Sequence, residues 1–499
     1  MHIALLLSVF VVASCGLAYE LIAGALSSYL IGDSVTQFST VIGTYLFAMG
    51  VGSYLSRFVL NNVAARFIQI ELLVGLLGGY SAVALFWVYA FLTAPFKLVL
   101  YLLVLLLGTL VGLEIPLVMR LLEKQIQFRE LVSQVLSFDY LGALLVSLLF
   151  PLLLAPQLGM VRSALLFGLL NAVVALWALW LFRQQLPERR ALQLQGGAVI
   201  VLLLAGFIGA EKLSGIAETH LYQDEIVFTE TTPYQRMVMT RWKDDYRLFL
   251  NGNLQFSSRD EYRYHEALVH PGLASLPWAR RVLVLGGGDG LAVREILKYP
   301  QIQSITLVDL DPAMTRLFSH TPLLTTLNHN ALNSPKVKII NTDAFVWLEQ
   351  NQDAFDFIVV DFPDPTNYAV GKLYTNTFYR LLERHLNVRG RAVIQATSPL
   401  YARQSFWTVV NTVESVGLST QPYHALVPAF GEWGYILCGR EPYTPPQQLP
   451  AGLRFISAGQ LPTLFQFAPD MARVETEVNR LNNQILVRTF EEEWRRVIR

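Results

Sequence analysis

Hydrophobic and polar positions follow two regimes that change near residue 212. Upstream, long apolar runs lie near 4–31, 37–60, 67–92, 96–120, 133–155, 162–183 and 192–210, separated by short polar connectors. A spanning helix needs about 20 predominantly apolar residues. The pattern therefore predicts an all-α polytopic membrane domain over 1–212, with about seven helices. The last run is the shortest, yet no charge falls between Arg190 and Glu211, which favours a span over a buried core helix. Downstream, short apolar runs alternate with turn residues. Val238-Met239-Thr240 and Arg247-Leu248-Phe249-Leu250 flank a polar Lys243-Asp244-Asp245 turn, and Asn251-Gly252 follows. Asn-Gly is the strongest short-range hairpin signal, so a small β domain is expected over 222–277. Arg281-Val282-Leu283-Val284-Leu285 reads as a buried parallel strand. It leads into Gly286-Gly287-Gly288-Asp289-Gly290 and then a helix. Three more strands end at Asp309, Asp343 and Asp361, and Ala392-Val393-Ile394-Gln395 supplies another. The expected fold over 278–442 is a Rossmann-like α/β sheet of the methyltransferase type, followed by a C-terminal extension over 443–499.

Composition sharpens the division. Hydrophobic residues make up 53% of the chain and charged residues 15%, against roughly 25% charged in soluble proteins. The deficit lies upstream, which predicts a multi-pass protein of the cell (inner) membrane with the lipid bilayer as a partner. The net charge of zero gives no sign of nucleic-acid binding. Cys15 and Cys438 fall in different halves, against a disulfide scaffold or a Cys-based metal site. The even-numbered loops carry Arg57 and Arg66, then Arg120, Lys124 and Arg129, then Arg183, Arg189 and Arg190; the odd ones offer little beyond Lys97 and Arg162. The positive-inside rule then places the even loops and the N-terminus in the cytoplasm. Glu20, Glu71, Glu114 and Asp139 lie within or near the apolar runs. Such acids either pair with one another or with Tyr19 or Tyr140, or mark a cation pathway or sensing site. Glu114, inside Gly112-Leu113-Glu114-Ile115-Pro116, is the best functional candidate.

The downstream half carries the chemistry. Asp289 in the glycine loop, Asp309, Asp343 and Asp361 stand at four successive strand ends. Asp is favoured at helix N-caps, which accounts for one or two of them. The C-terminal edge of an open α/β sheet is also where ligands bind. Asp309 lies about twenty residues beyond the glycine loop, where a nucleoside's ribose hydroxyls need an acceptor. In Asp361-Phe362-Pro363-Asp364-Pro365 two carboxylates suit a cationic substrate or a proton to be removed. The glycine loop has no Lys, against a triphosphate P-loop.

Taken together these residues resemble the spermidine synthase (polyamine aminopropyltransferase) family. The likeness runs from about Tyr234 to Gly439. It takes in Tyr234-Gln235, Asn251-Gly252, Gln255, Arg259-Asp260-Glu261, Tyr264-His265-Glu266, the glycine loop, Arg294-Glu295 and Val308-Asp309-Leu310-Asp311. It continues through Asp343-Ala344, Asp361-x-x-Asp364-Pro365, Gln395 and Gly431-Glu432-Trp433-Gly434. The upstream half is similar to a bacterial branch that fuses such a domain to transmembrane helices. The resemblance implies transfer of an aminopropyl group from decarboxylated S-adenosylmethionine to putrescine or a related diamine, giving spermidine and methylthioadenosine. It implies no metal and no cofactor beyond that co-substrate. It further implies Asp361 as base, Asp364 as diamine holder and Asp289 as partner of the aminopropyl ammonium. Asp309 would take the ribose, Asp343-Ala344 the adenine and Gln235 the thioadenosine end. Tyr264 and His265 would line the amine channel, with Gln395 also in the substrate-binding set.

Several positions depart from the family pattern. Phe362-Pro363 and Thr366-Asn367-Tyr368 stand where small polar residues, then Gly and Pro, are usual. Asp309 replaces the usual Glu, and Val427-Pro428-Ala429-Phe430 lacks the usual Tyr-Pro. These changes bear on the amine accepted more than on the donor. Two alternatives are an S-adenosylmethionine-dependent methyltransferase and a membrane polyamine sensor or transporter. Homo-oligomerisation is left open by the sequence. Loop charges and seven spans would put the catalytic domain outside, whereas a cytosolic donor requires it inside; a cytoplasmic catalytic domain is the expectation.

Overall fold

The computed structural model of the chain describes residues 2–31, 34–92, 95–123, 128–186, 189–222 and 224–497. Lys124, one of the loop cations, lies outside the described residues. The chain forms two compact units, Met1–Ile226 and Val227–Arg499.

The first unit is helical: α1 (His2–Ile31), α2 (Ser34–Leu55), α3 (Val63–Phe91), α4 (Phe96–Leu122), α5 (Phe128–Leu149), α6 (Ala155–Leu181) and α7 (Arg189–Tyr222). Among the described residues, six continuous helical stretches are long and apolar enough to cross a membrane, and the fifth, Arg129–Leu181, contains both α5 and α6. A π turn at Phe150–Leu154 leads out of α5, and Gly159 breaks the helical path at φ +72°, a conformation glycine adopts at little cost. The seven apolar runs thus fall on seven helices. Helix α7 outruns its apolar run because its polar end is held. Glu211 pairs with Arg162 at 2.8 Å, and Trp87 Nε1 donates to the Leu213 carbonyl at 3.0 Å.

Glycines let these helices approach backbone to backbone, as small residues do in membrane bundles. A Cβ on Gly112 of α4 would run into the Met49 backbone of α2, and one on Gly168 of α6 into the Gly75 carbonyl of α3. Contacts along the helices fix their directions. Thr40 meets Tyr101 and Met49 meets Gly112, so α2 and α4 are parallel. Tyr80 meets Leu202 and Trp87 meets Leu213, so α3 and α7 are parallel. Short connections alternate the direction of consecutive helices. After seven helices the chain leaves the bundle at the end opposite the start of α1.

The second unit begins with a four-stranded sheet, β1 (Glu225–Thr231), β2 (Arg236–Trp242), β3 (Asp245–Leu250) and β4 (Asn253–Ser257), in that order. Asn251 and Gly252 both have positive φ, as the tight hairpin turn requires. Helix α8 (Glu261–Leu273) then leads to a seven-stranded mixed sheet. Its strands are β5 (Arg281–Gly286), β6 (Ser304–Asp309), β7 (Val337–Asn341), β8 (Phe355–Asp361), β9 (Leu386–Gln395), β10 (Ser419–Val427) and β11 (Gly431–Gly439). The spatial order is β10-β11-β9-β8-β5-β6-β7. Strands β5 to β9 are parallel, and β11 runs against both of its neighbours.

The continuous apolar runs are explained by cover on both faces. Alternate residues point to opposite sides of a strand. Val282, Val284 and Val359 join one core with Ala267 and Leu268 of α8. Leu283, Leu285, Ile358 and Val360 join the other with Leu348, Phe378 and Leu382. The C-terminal extension is fastened to this body. Glu266 of α8 accepts from the backbone N–H groups of Arg454, Phe455 and Ile456 at 2.7, 2.8 and 3.0 Å.

Candidate active site

Strands β5 and β8 are neighbours whose chain continuations go to opposite sides, so the strand order reverses between them. In such sheets the ligand crevice opens at that point, outside the strands' carboxyl ends. Gly286 at the end of β5 pairs in register with Asp361 at the end of β8. Gly286, Gly287 and Gly290 have φ of +80°, +65° and +74°, a left-handed path that other residues adopt at a cost. The loop folds onto the end of β6. Asp309 Oδ2 accepts from the Gly288 N–H at 3.1 Å and Oδ1 from the Asp311 N–H at 2.9 Å. Each oxygen keeps a second acceptor position. Burial pushes the Asp309 carboxyl up to about 6.

Helix α8 brings a second set of groups to the crevice. Tyr264 Oη donates to Asp361 Oδ1 at 2.6 Å. Burial raises Asp361 to about 6; the neighbouring His265 charge and the Tyr264 bond work against that rise, and Asp289 adds to it. His265 follows Tyr264, their rings 4.9 Å apart. Its Nδ1–H reaches the Glu261 carbonyl at 2.8 Å and Glu261 Oε2 at 2.9 Å. Burial would lower the His265 pKa, but the Glu261 carboxylate overcomes it and pushes it up to about 9. Glu261 is gripped from its other side by Arg294, with two bonds of 2.9 Å. Asp289, also buried, accepts from the Leu291 N–H at 2.9 Å; burial raises its pKa, opposed by His265.

Beyond Asp361, the Asp364 carboxyl is pushed up to about 7 by burial. Thr397 Oγ1 donates to its Oδ2 at 3.4 Å, while Oδ1 is buried with no hydrogen-bond partner among the described residues. Native structures rarely leave such an atom unmatched. Gln395 is a clamp beneath this segment. Its Nε2 donates to the Phe362 carbonyl and, at 3.0 Å, to Tyr374 Oη, and its Oε1 accepts from Trp433 Nε1 at 3.2 Å. Gln235 arrives from the small sheet, donating through Nε2 to Asp311 Oδ2 at 3.0 Å. Asp343 stands at the end of β7, two strands from β5. Its Oδ1 caps the helix Ala344–Gln350 by accepting from Phe345 N–H at 2.8 Å, and Lys372 Nζ donates to Oδ2 at 2.6 Å. Burial alone would raise Asp343, but the Lys372 ammonium and the helix start hold it below the usual carboxylate range. Ala344 is buried beside it.

The fold thus gathers Asp361, Tyr264, His265 and Asp289 into one electrostatically coupled group. Asp364 and Gln395 lie beside it, and Asp309 and Gln235 are joined through Asp311. Asp343 and Ala344 form a separate corner. Sequence reading assigned no role to Glu261, Arg294, Asp311, Tyr374 or Trp433. The Glu261–His265 spacing of four on one helix face was the available signal for the first.

Sheet order, glycine loop and acids together define an α/β enzyme with an acidic ligand crevice at the strands' carboxyl ends. Residues 261–446 match the Spermine/spermidine synthase domain family. Polyamine aminopropyltransferase 2 of Ralstonia nicotianae is 59% identical over 503 residues, covering 99% of both chains. The polyamine aminopropyltransferase of Leptospira interrogans is 50% identical over 498 residues, covering 100% of both. A crystal structure of spermidine synthase with the transition-state analogue AdoDATO has 21% identity and a TM-score of 0.46, covering 49% of this chain and 86% of that one. The chain belongs to the polyamine aminopropyltransferase family.

Proposed function

We propose that this enzyme moves the aminopropyl group of decarboxylated S-adenosylmethionine onto putrescine, giving spermidine and methylthioadenosine. The amine lone pair attacks the methylene carbon next to the sulfonium. The carbon–sulfur bond breaks, its electron pair stays on sulfur, and the sulfonium becomes a neutral thioether. An alkylammonium titrates near 10.4 when unperturbed, so the attacking nitrogen must first give up a proton. Asp361 takes it, as a general base. Asp364 holds the diamine through Oδ1, a buried oxygen with no hydrogen-bond partner among the described residues; that orphan atom is the observation that carries the reading.

Asp289 binds the donor's aminopropyl ammonium and repels the carboxylate that intact S-adenosylmethionine retains. The His265 cation, fixed by Glu261 and Arg294, keeps Asp289 and Asp361 ionised, while Tyr264 orients Asp361 and lines the amine channel. Asp309 receives the ribose hydroxyls, Gln235 the thioadenosine end and Asp343-Ala344 the adenine. Gln395 acts on the substrate by fixing the Phe362-Pro363 backbone. The Asp361→Asn variant should bind donor normally and turn over roughly 10² to 10⁴ times more slowly, the usual range for a general base. Near wild-type turnover would remove Asp361 from this role.

The helical unit we assign to the cell membrane. Leu102, Leu144, Leu152, Val201 and Ile208 point outward with 56–80% of their surface exposed, an apolar surface that water would penalise and lipid would cover. The catalytic unit is assigned to the cytoplasmic side, where the nucleoside donor is made.

A further inference from the structure

Four helices of the first unit line a partly open cavity of about 170 Å³ that the aminopropyl-transfer reaction does not use. Glu20 of α1, Glu114 of α4 and Asp139 of α5 line it, with Leu17, Met49 and Val111 among its apolar walls. Among the described residues no Lys or Arg lines it. Glu114 is only 1% exposed, and its Oε1 is buried with no hydrogen-bond partner among the described residues. A buried acid in an apolar bundle is costly unless something pairs with it.

We infer that this cavity binds a short linear diammonium ion at a second site, separate from the catalytic crevice. Three features choose that chemistry. The wall chemistry is mixed, with carboxylates for ammonium ends and aliphatic side chains for a hydrocarbon stem. The size fits as well: a cavity of about 150 Å³ takes benzene, a ligand of six heavy atoms, and 1,4-diaminobutane also has six. Finally, the acids are not arranged around a metal. Among the described residues no three His, Cys, Asp or Glu side chains are placed to hold a metal ion, and hard cations need six or more close oxygens. Carboxylates from three different helices beside an aliphatic wall suit a cation with charge at both ends and a hydrocarbon stem.

The site adds to the proposed function without depending on it. The test uses the purified full chain in detergent and equilibrium dialysis with radiolabelled 1,4-diaminobutane, without donor. An Asp364→Asn background removes amine binding at the β8 edge. In that background one diamine per chain is expected to remain. Glu114→Gln is expected to abolish it, leaving elution on size exclusion and donor binding intact. If Glu114→Gln does not fold, Ala13→Phe serves, because it fills the cavity from α1 and leaves every acid in place. Absence of bound diamine in the Asp364→Asn protein would overturn the proposal, meaning that the acids are simply protonated. Retention of that diamine after cavity filling would also overturn it. Failure of the catalytic reading gives a different pattern, in which Asp364→Asn leaves turnover unchanged.

Discussion

Asp361 sits between opposing influences, since burial favours its neutral form and Tyr264 and His265 favour the carboxylate. A base must be ionised to act, so kcat/KM should hold above the carboxyl pKa values and fall as pH drops through the range from about 7 to about 6. Because these groups interact, that limb belongs to the cluster and not to one residue. Tyr264→Phe removes a donor to the charged form, worth about 1.5 kcal/mol or more, or roughly one pH unit. The acid limb is therefore expected to move up by about one unit; a limb that stays in place would show that Tyr264 does not control the base. At this scale the sequence was informative about identity and silent about support. Asp361 and Asp364 stood out because an apolar run delivered two acids to one strand mouth. The brace behind His265 was hidden, because Arg294 reaches Glu261 from 33 residues away. Gln395 was singled out through the family resemblance, but its three bonds to Phe362, Tyr374 and Trp433 come together only in the folded chain.

Between β5 and the helix Leu291–Ile296, the glycine loop has little room for change. A Cβ on Gly288 would stand 2.7 Å from Asp309 Oδ2, and that carboxylate is short and tied to two backbone donors. Gly288→Ala should displace it while leaving the fold intact. Loss of charge-assisted bonds to the ribose, about 1.5–3 kcal/mol, corresponds to donor affinity roughly 10- to 100-fold weaker. Donor calorimetry checks this, and unchanged affinity would separate Asp309 from the nucleoside. Elements with strong local periodicity were legible: seven apolar runs became seven helices, and the Asn251-Gly252 turn joined β3 to β4. Strands β1, β10 and β11 were not read. In β10 the obstacle was Pro422, which breaks a strand pattern and is tolerated here because β10 is the sheet's edge. The last turns of α7 were missed because they are held by partners on α3 and α6, through the Leu213 carbonyl and the Glu211 side chain, which no local pattern encodes.

For the whole molecule, the alternating direction of seven helices sets a constraint. If the bundle crosses the membrane, the chain enters and leaves it on opposite sides. A cytoplasmic catalytic unit then requires the start of α1 to be outside, against the loop charges. One of those, Arg120, spends its guanidinium on the Ser56 and Val59 carbonyls at the end of α2. Because α7 lies lengthwise along α3, it does not offer a way out as a surface helix. A fluorescent-protein fusion at the C-terminus is expected to be bright and an alkaline phosphatase fusion silent. Strong phosphatase activity with no fluorescence would place catalysis outside, on exported substrate. The group that is transferred defines the enzyme. Purified protein should be incubated with decarboxylated S-adenosylmethionine and, separately, with S-adenosylmethionine, each with a panel of diamines, and the products weighed by mass spectrometry. The expected result is an amine enlarged by one aminopropyl unit, with methylthioadenosine released, from the decarboxylated donor alone. A methylated amine with S-adenosylhomocysteine, formed from the intact donor, would contradict it.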